Sequence, residues 1–299
     1  FDFGDVQWLG KDLDISTAVS PRSFADARKA PQSRATRQYL GMGRNEPVVA
    51  NTKMAAIRGG EQNSGTHCQW PLSQWNNPIS DRELMEARTL IGAANSELLT
   101  GAAFTDSAVL SNDDINDYRI LHFATHGLVT APSPSCPAKP ALLTSFGGNG
   151  SDGLLAFDEI FDLKLDADII ILSACDTAGK ASIAVTREAG VSSGGGTALD
   201  GLVRSFIGAG GRSVLASHWP APDDFRATER LINGLFTDGQ GRSITEALRL
   251  SQLELMNDPV TSHPFYWAGF ALIGDGARPF LPDTVNAAAA ATTSGAALK

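Results

Sequence analysis

An α/β fold with a mostly parallel central sheet flanked by helices is what this 299-residue chain predicts, on three observations. Near-continuous apolar runs closed by Gly recur along it, which is how parallel strands buried on both faces read. Segments with helical spacing alternate with those runs, as the crossovers between parallel strands require. Two of the runs end in a reactive side chain: Tyr118-Arg-Ile-Leu-His-Phe-Ala-Thr-His126-Gly127 and Ala167-Asp-Ile-Ile-Ile-Leu-Ser-Ala-Cys175-Asp-Thr-Ala-Gly179. In open α/β sheets the carboxyl ends of the strands are where ligands bind.

The elements follow in order. Strands are expected at Asp12–Ala18 and Arg37–Met42, separated by the basic, polar stretch Pro21–Arg37. Asn45 to Asn77, rich in Gly, Asn and Gln, reads as an irregular crossover. The capping box Ser80-Asp-Arg-Glu83 opens a helix with Leu84, Met85, Ala87, Leu90 and Ile91 on one side. A short strand at Glu97–Leu99 and a short helix after Thr105 lead into the His126 strand. Next come a loop with Pro132, Pro134, Pro137 and Pro140, the Gly-rich Gly147–Gly153 and a short helix at Asp158–Asp162. After the Cys175 strand, Lys180–Gly196 is a polar, small-residue loop. A helix at Leu199–Ile207 and a strand at Gly211–Ser217 follow it. Helices at Phe225–Phe236 and from the capping box Ser243-Ile-Thr-Glu246 to Met256 precede the last strand, Phe265–Ile273. From Arg278 the chain turns to Pro, Ala, Thr, Ser and Gly, a low-complexity tail.

A formal net charge of −9 argues against a nucleic-acid surface, which needs a basic face. No apolar stretch reaches the roughly 18 residues of a membrane span, and no basic-then-apolar leader opens the chain. Three widely spaced cysteines, Cys68, Cys136 and Cys175, form no disulfide framework. The expected compartment is the cytoplasm. Because the chain starts at Phe1 without Met, it is expected to be cut from a longer protein.

On the residues alone, His126 reads equally as a general base and as a histidine that caps a strand. Cys175 reads as a nucleophile on the sheet rim or as a small buried apolar residue. A metal site is not expected: His122 and His126 lie about 13 Å apart along a strand, and Phe123 stands where the helical zinc motif needs Glu. That makes His122 a core histidine. Gly208-Ala-Gly-Gly211 precedes a strand instead of opening a helix, and Gly179-Lys180 lacks the flanking residues of a P-loop, so no nucleotide site is expected. The Gly-x-Ser-x-Gly elbow of α/β hydrolases is also missing.

Four blocks carry a family resemblance: Ala124-Thr-His-Gly127, Leu172-Ser-Ala-Cys-Asp-Thr-Ala-Gly179, Ser217-His-Trp-Pro220 and His263-Pro-Phe-Tyr-Trp-Ala268. In this order they resemble the CHAT family of caspase-like cysteine peptidases, relatives of caspases, gingipains and separase. His126 and Cys175 stand 49 residues apart, near the about 50 of caspases. The resemblance implies a caspase-like three-layer sandwich forming one peptidase domain over residues 1–280, with 281–299 as tail. It implies a cysteine endopeptidase with His126 as base, Cys175 as nucleophile, the amides of Gly127 and Cys175 as oxyanion donors, and neither cofactor nor metal.

For the substrate, it aligns Asp223 with a separase acid that receives a P1 arginine, although Asp223 or Asp224 would equally serve as the N-cap of the next helix. His218-Trp219 stands where the family shows Leu-Trp, and Asp176 is a second candidate acid. The resemblance further implies a protein substrate, a regulatory partner or upstream tetratricopeptide repeats, and often a bacterial setting. A basic-P1 pocket would make Lys180 or Arg187 a self-cleavage site. The alternative is a catalytically silent module that holds a protein partner in the same crevice.

Overall fold

The computed structural model describes residues 3, 5–48, 70, 72–128, 140–148, 150–173, 196–219, 222 and 224–281, with the side chains of 196–200 excepted. The chain enters through a short helix, α1 (Leu9–Asp12), and a longer one, α2 (Pro21–Lys29). The strand expected at Asp12–Ala18 is therefore not formed. What remains of it is one parallel bridge, Thr17 to Ile273. Leu9, Leu13 and Ile15 stay exposed, so no apolar face drives longer pairing. Within the basic stretch, Ser20 caps α2 reciprocally with Ser23, and Pro21 takes the first helical position.

Strand β1 (Arg37–Gly43) opens the sheet, and α3 (Arg82–Ile91), β2 (Ser96–Thr100), α4 (Asp106–Leu110) and β3 (Tyr118–Ala124) follow. Beyond His126 the chain forms β4 (Gly127–Leu128), β5 (Ala141–Leu143) and β6 (Leu154–Ala156), a small antiparallel sheet where a plain loop was expected. Then come α5 (Phe157–Asp162), β7 (Ile169–Leu172), α6 (Gly196–Gly208), β8 (Ser213–Ser217), α7 (Ala227–Asp238), α8 (Ile244–Asn257) and β9 (Phe270–Gly274). The last strand begins five residues later than expected because Pro264–Tyr266 is a 3-10 turn.

The main sheet has the order β2-β1-β3-β7-β8-β9. Only β9 runs antiparallel, against β8. Leu121, Phe123, Ile170, Leu172 and Val214 pack on one face with Val109 of α4, Ile160 of α5 and Phe206 of α6. Tyr39, Ile120, Ile171 and Leu215 pack on the other with Ala87 of α3, Phe236 of α7 and Leu255 of α8. The three-layer α/β sandwich with a mostly parallel sheet is thus present.

α3 departs from expectation in a way that bears on the site. Its N-cap is Asp81, without a side-chain cap, and Glu83 does not close a capping box; it is buried against His122 instead. Met85 and Leu90 are exposed, leaving Glu83, Leu84 and Ala87 on the inner face.

Under the small sheet, Asp106 is buried, with Ser151 and Thr144 donating to its carboxylate. Nearby, burial pushes the Asp152 carboxyl above its ordinary 3.8; an N–H from Leu154 opposes the shift and the charge of Asp106 adds to it. A carboxyl raised in this way favours the fold below its unfolded value, and that contribution is lost as pH rises through its folded value. Asp152→Asn should therefore raise the thermal midpoint at pH 7 by about 2 °C. The gain should close as pH falls below about 4, which scans of both proteins across pH would show.

Candidate active site

β1 connects to β2 on one side, and the chain then returns across β1 to β3 on the other. The carboxyl ends of β1 and β3 therefore flank a topological switch point, where α/β sheets leave a crevice. The two strands stay in parallel register up to Gly43 and Ala124. That contact needs Gly43, because a Cβ there would come within 2.2 Å of the Ala124 carbonyl oxygen. His126 follows two residues later and is 4% exposed.

The imidazole of His126 is held by a backbone carbonyl, with Nε2 2.5 Å from the Asn77 oxygen. A carbonyl can only accept, so Nε2 carries the proton. In the neutral ring this leaves the lone pair on Nδ1. Residue 77 in turn sits in a well-tied crossover. Trp75 Nε1 donates to the Thr144 carbonyl at 2.8 Å, and Asn45 Nδ2 donates to the Trp75 carbonyl at 2.9 Å. Farther along, Arg44 pairs with Asp81 at 3.1 Å. Asn77 was not singled out from the sequence, since any residue type offers the same carbonyl. The available signal was Pro78, which biases residue 77 toward an extended backbone.

Gly127 opens β4 opposite Leu142. The ladder bond there runs from Leu143 N to the His126 carbonyl at 2.9 Å. Gly127 and Leu142 thus form a non-hydrogen-bonded pair, and the Gly127 N–H is turned away from β5. Thr125, between the histidine and the strand, donates to the Leu143 carbonyl at 2.5 Å. The small sheet thereby fixes the backbone on both sides of His126.

β7 is the neighbour of β3 on the side away from β1, paired as far as Phe123 with Leu172. Cys175 lies two residues beyond Ser173 in sequence. Cys175, Asp176 and Asp223 fall outside the described residues, as do Lys180, Arg187, Cys68 and Cys136. The structure thus places His126 and Gly127 together at the carboxyl rim but does not describe the thiol or the expected acids.

The rim continues at β8. The two outer blocks of the resemblance meet there: Trp219 Nε1 donates to the Phe265 carbonyl at 3.1 Å, and the His218 N–H donates to the Gly269 carbonyl at 2.8 Å. Phe225 and Phe265 each pack edge-on against Tyr266 and remain substantially exposed. α7 starts later than expected, at Ala227. Its N-cap is Arg226 in a left-handed conformation with no side-chain cap, so neither Asp223 nor Asp224 occupies that position. Phe225 also has a positive φ, of 55°. Such backbone strain at non-Gly residues persists only where surrounding contacts over-determine it.

His122 is a core histidine, fully enclosed and bonded to Tyr39 at 3.0 Å. Among the described residues no group of His, Cys, Asp and Glu is arranged to hold a metal, and no helix is long and apolar enough to cross a membrane.

With this geometry in place, comparison with known proteins gives a family. The CHAT domain profile matches residues 3–275. The chain belongs to the CHAT-domain family. Two curated proteins are similar to this CHAT domain: human Tetratricopeptide repeat protein 28, at 26% identity over 81% of the chain, and its mouse counterpart, at 26% over 90%. The CHAT domain spans about a tenth of the length of either relative (10% and 11%). Among solved structures, the Arg-specific cysteine proteinase gingipain R aligns with a TM-score of 0.48 and 11% identity, covering 86% of this chain and 51% of that one.

At the close approach of β1 to β3 in this CHAT domain, a single added methyl group would collide with backbone. Gly43→Ala should cost about 1–3 kcal/mol in denaturant unfolding, as overpacking against backbone does. An unchanged midpoint would mean that β1 yields without consequence.

Proposed function

We propose that this CHAT domain is a cysteine endopeptidase working through His126 and Cys175. One observation carries the reading: His126 is buried at the carboxyl rim of the sheet, with Nε2 engaged by the Asn77 carbonyl, on the strand next to the one that leads to Cys175. A histidine that merely capped a strand would have no need of a fixed tautomer. Held this way, the ring offers Nδ1 as the base.

In the reaction, His126 Nδ1 takes the thiol proton and Cys175 Sγ bonds to the scissile carbonyl carbon. The developing oxyanion is met by the N–H of Gly127, which is turned away from β5, and by that of Cys175. The C–N bond then breaks and the leaving amine receives the proton from the imidazolium. Water, deprotonated by His126, hydrolyses the thioester and restores the thiol. No cofactor or metal enters these steps.

The substrate would be a protein cut after a basic P1 residue, received by Asp223 with Asp176 as the second acid. The relatives are named for tetratricopeptide repeats, which supports control by a repeat module or partner protein. One peptidase domain over residues 1–280 and self-cleavage at Lys180 or Arg187 belong to the same reading.

The deciding measurement is the alkylation rate of each cysteine against pH, in the native chain and in His126→Ala, by mass spectrometry. Cys175 should react at pH 7 at least about tenfold faster than Cys68 or Cys136, and lose that advantage without His126. A slow Cys175 that is indifferent to His126 would favour the silent partner-binding module. Given turnover of Arg or Lys peptides, Asp223→Ala should lower kcat/KM by about thirtyfold or more, since truncating one side of a desolvated charge pair costs about 2 kcal/mol or more.

A further inference from the structure

Tyr39, His122 and Glu83 form a second polar cluster that the proposed reaction does not use, buried in the layer between the sheet and α3. Tyr39 and His122 are both 0% exposed, and Glu83 is 6% exposed. Burial, reinforced by the charge of Glu83, holds the Tyr39 hydroxyl well above its ordinary pKa, so it stays protonated. Its oxygen lies 3.0 Å from His122 Nδ1. With the phenol donating there, the ring proton belongs on Nε2, which faces Glu83 Oε1 at 3.2 Å. Nε2 and Oε1 are in polar contact at an angle that falls short of a hydrogen bond. Phe236 stacks on the imidazole and meets Tyr39 edge-on, which closes the cluster to water.

Taking such groups out of water costs several kcal/mol, and apolar side chains of similar size would pack as well. A cluster of this kind therefore does something other than fill space. Its placement indicates what. Glu83 is the second residue of α3, and the chain approaching α3 is the crossover whose Asn77 carbonyl holds His126. His122 and His126 stand four apart on one chain, with β3 ending between them; His126 engages the crossover at residue 77, and His122 engages the first turn of the helix it leads into, at residue 83. The Arg44–Asp81 pair ties it between those points. Glu83 reaches His122 although its sequence position suits it to close a capping box on Ser80.

We propose that Tyr39, His122 and Glu83 are positioning residues for His126, pinning the start of α3 so that the Asn77 carbonyl stays against Nε2. This rests on the reading of His126 as the base of a His–Cys dyad. If the clamp is lost, the crossover drifts, and the contact of the Asn77 carbonyl with Nε2 that sets the tautomer weakens. Misplacing a catalytic group by about 1 Å costs up to about a hundredfold in rate. A partial drift should show as about tenfold.

The test is the pH–rate profile for iodoacetamide at Cys175 in the full chain, comparing native, Glu83→Gln, Tyr39→Phe and His126→Ala. Glu83→Gln keeps the size of the side chain and removes its charge. Tyr39→Phe removes a single oxygen. The expected result is that both lower the Cys175 rate at pH 7 by about tenfold toward that of His126→Ala, with the midpoint of the profile moved upward. The thermal midpoints of both variants should stay within a few degrees of native, which a general loosening of the fold would not allow.

Native profiles at Cys175 in both variants, alongside a strong effect of His126→Ala, would overturn the positioning role and leave the dyad standing. An inert His126→Ala would remove the dyad, and the positioning role with it. A collapsed thermal midpoint in both variants, with the Cys175 rate rising instead of falling, would make the cluster a folding element only, which also overturns the proposal.

Discussion

A strand buried on both faces has no water for its polar groups, so every one of them must be matched from elsewhere in the chain. β3 and its extension place that demand at the centre of this protein. The strand lies between β1 and β7, with helices over both faces. It nevertheless carries His122, and Thr125 and His126 follow it, all buried. Each of the three recruits a different part of the molecule. His122 takes Tyr39 from β1 and Glu83 from α3; Thr125 takes the Leu143 carbonyl from β5; His126 takes the Asn77 carbonyl from the crossover. The pieces around the crevice are thus placed by the needs of one strand.

This also explains which features could be read in the sequence. Ile169–Leu172 and the Val214–Ala216 stretch of β8 announce themselves because burial on both faces demands unbroken apolar residues. β4, β5 and β6 are two or three residues long, too short to show alternation, so the segment that braces His126 read as loop. His126 and Gly127 could be singled out by residue type, while the Asn77 carbonyl could not, because backbone acceptors have no residue signature.

Glu83 shows the limit of local motifs. Ser80-Asp-Arg-Glu83 has the spacing of a capping box, but a buried imidazole nearby is a stronger demand on a carboxylate than an N–H near the surface. At the other end, Leu13 and Ile15 fall in the strand expected at Asp12–Ala18. With no second layer to bury them, they remain in solvent, and pairing shrinks to Thr17. The start of α7 was missed for a related reason: the left-handed residues Phe225 and Arg226 break a pattern whose apolar spacing continues through them, and Arg226 is then held by Glu229.

That single residue, Thr17, has a mechanical meaning. Its N–H donates to the Leu272 carbonyl at 2.8 Å and its carbonyl accepts from the Gly274 N–H at 2.8 Å. It is the outermost stitch of the sheet, closing the open side of β9. Tension on the residues before it would load β9 along its length and pass through the antiparallel ladder into β8, whose far end carries Trp219 and the aromatic rim.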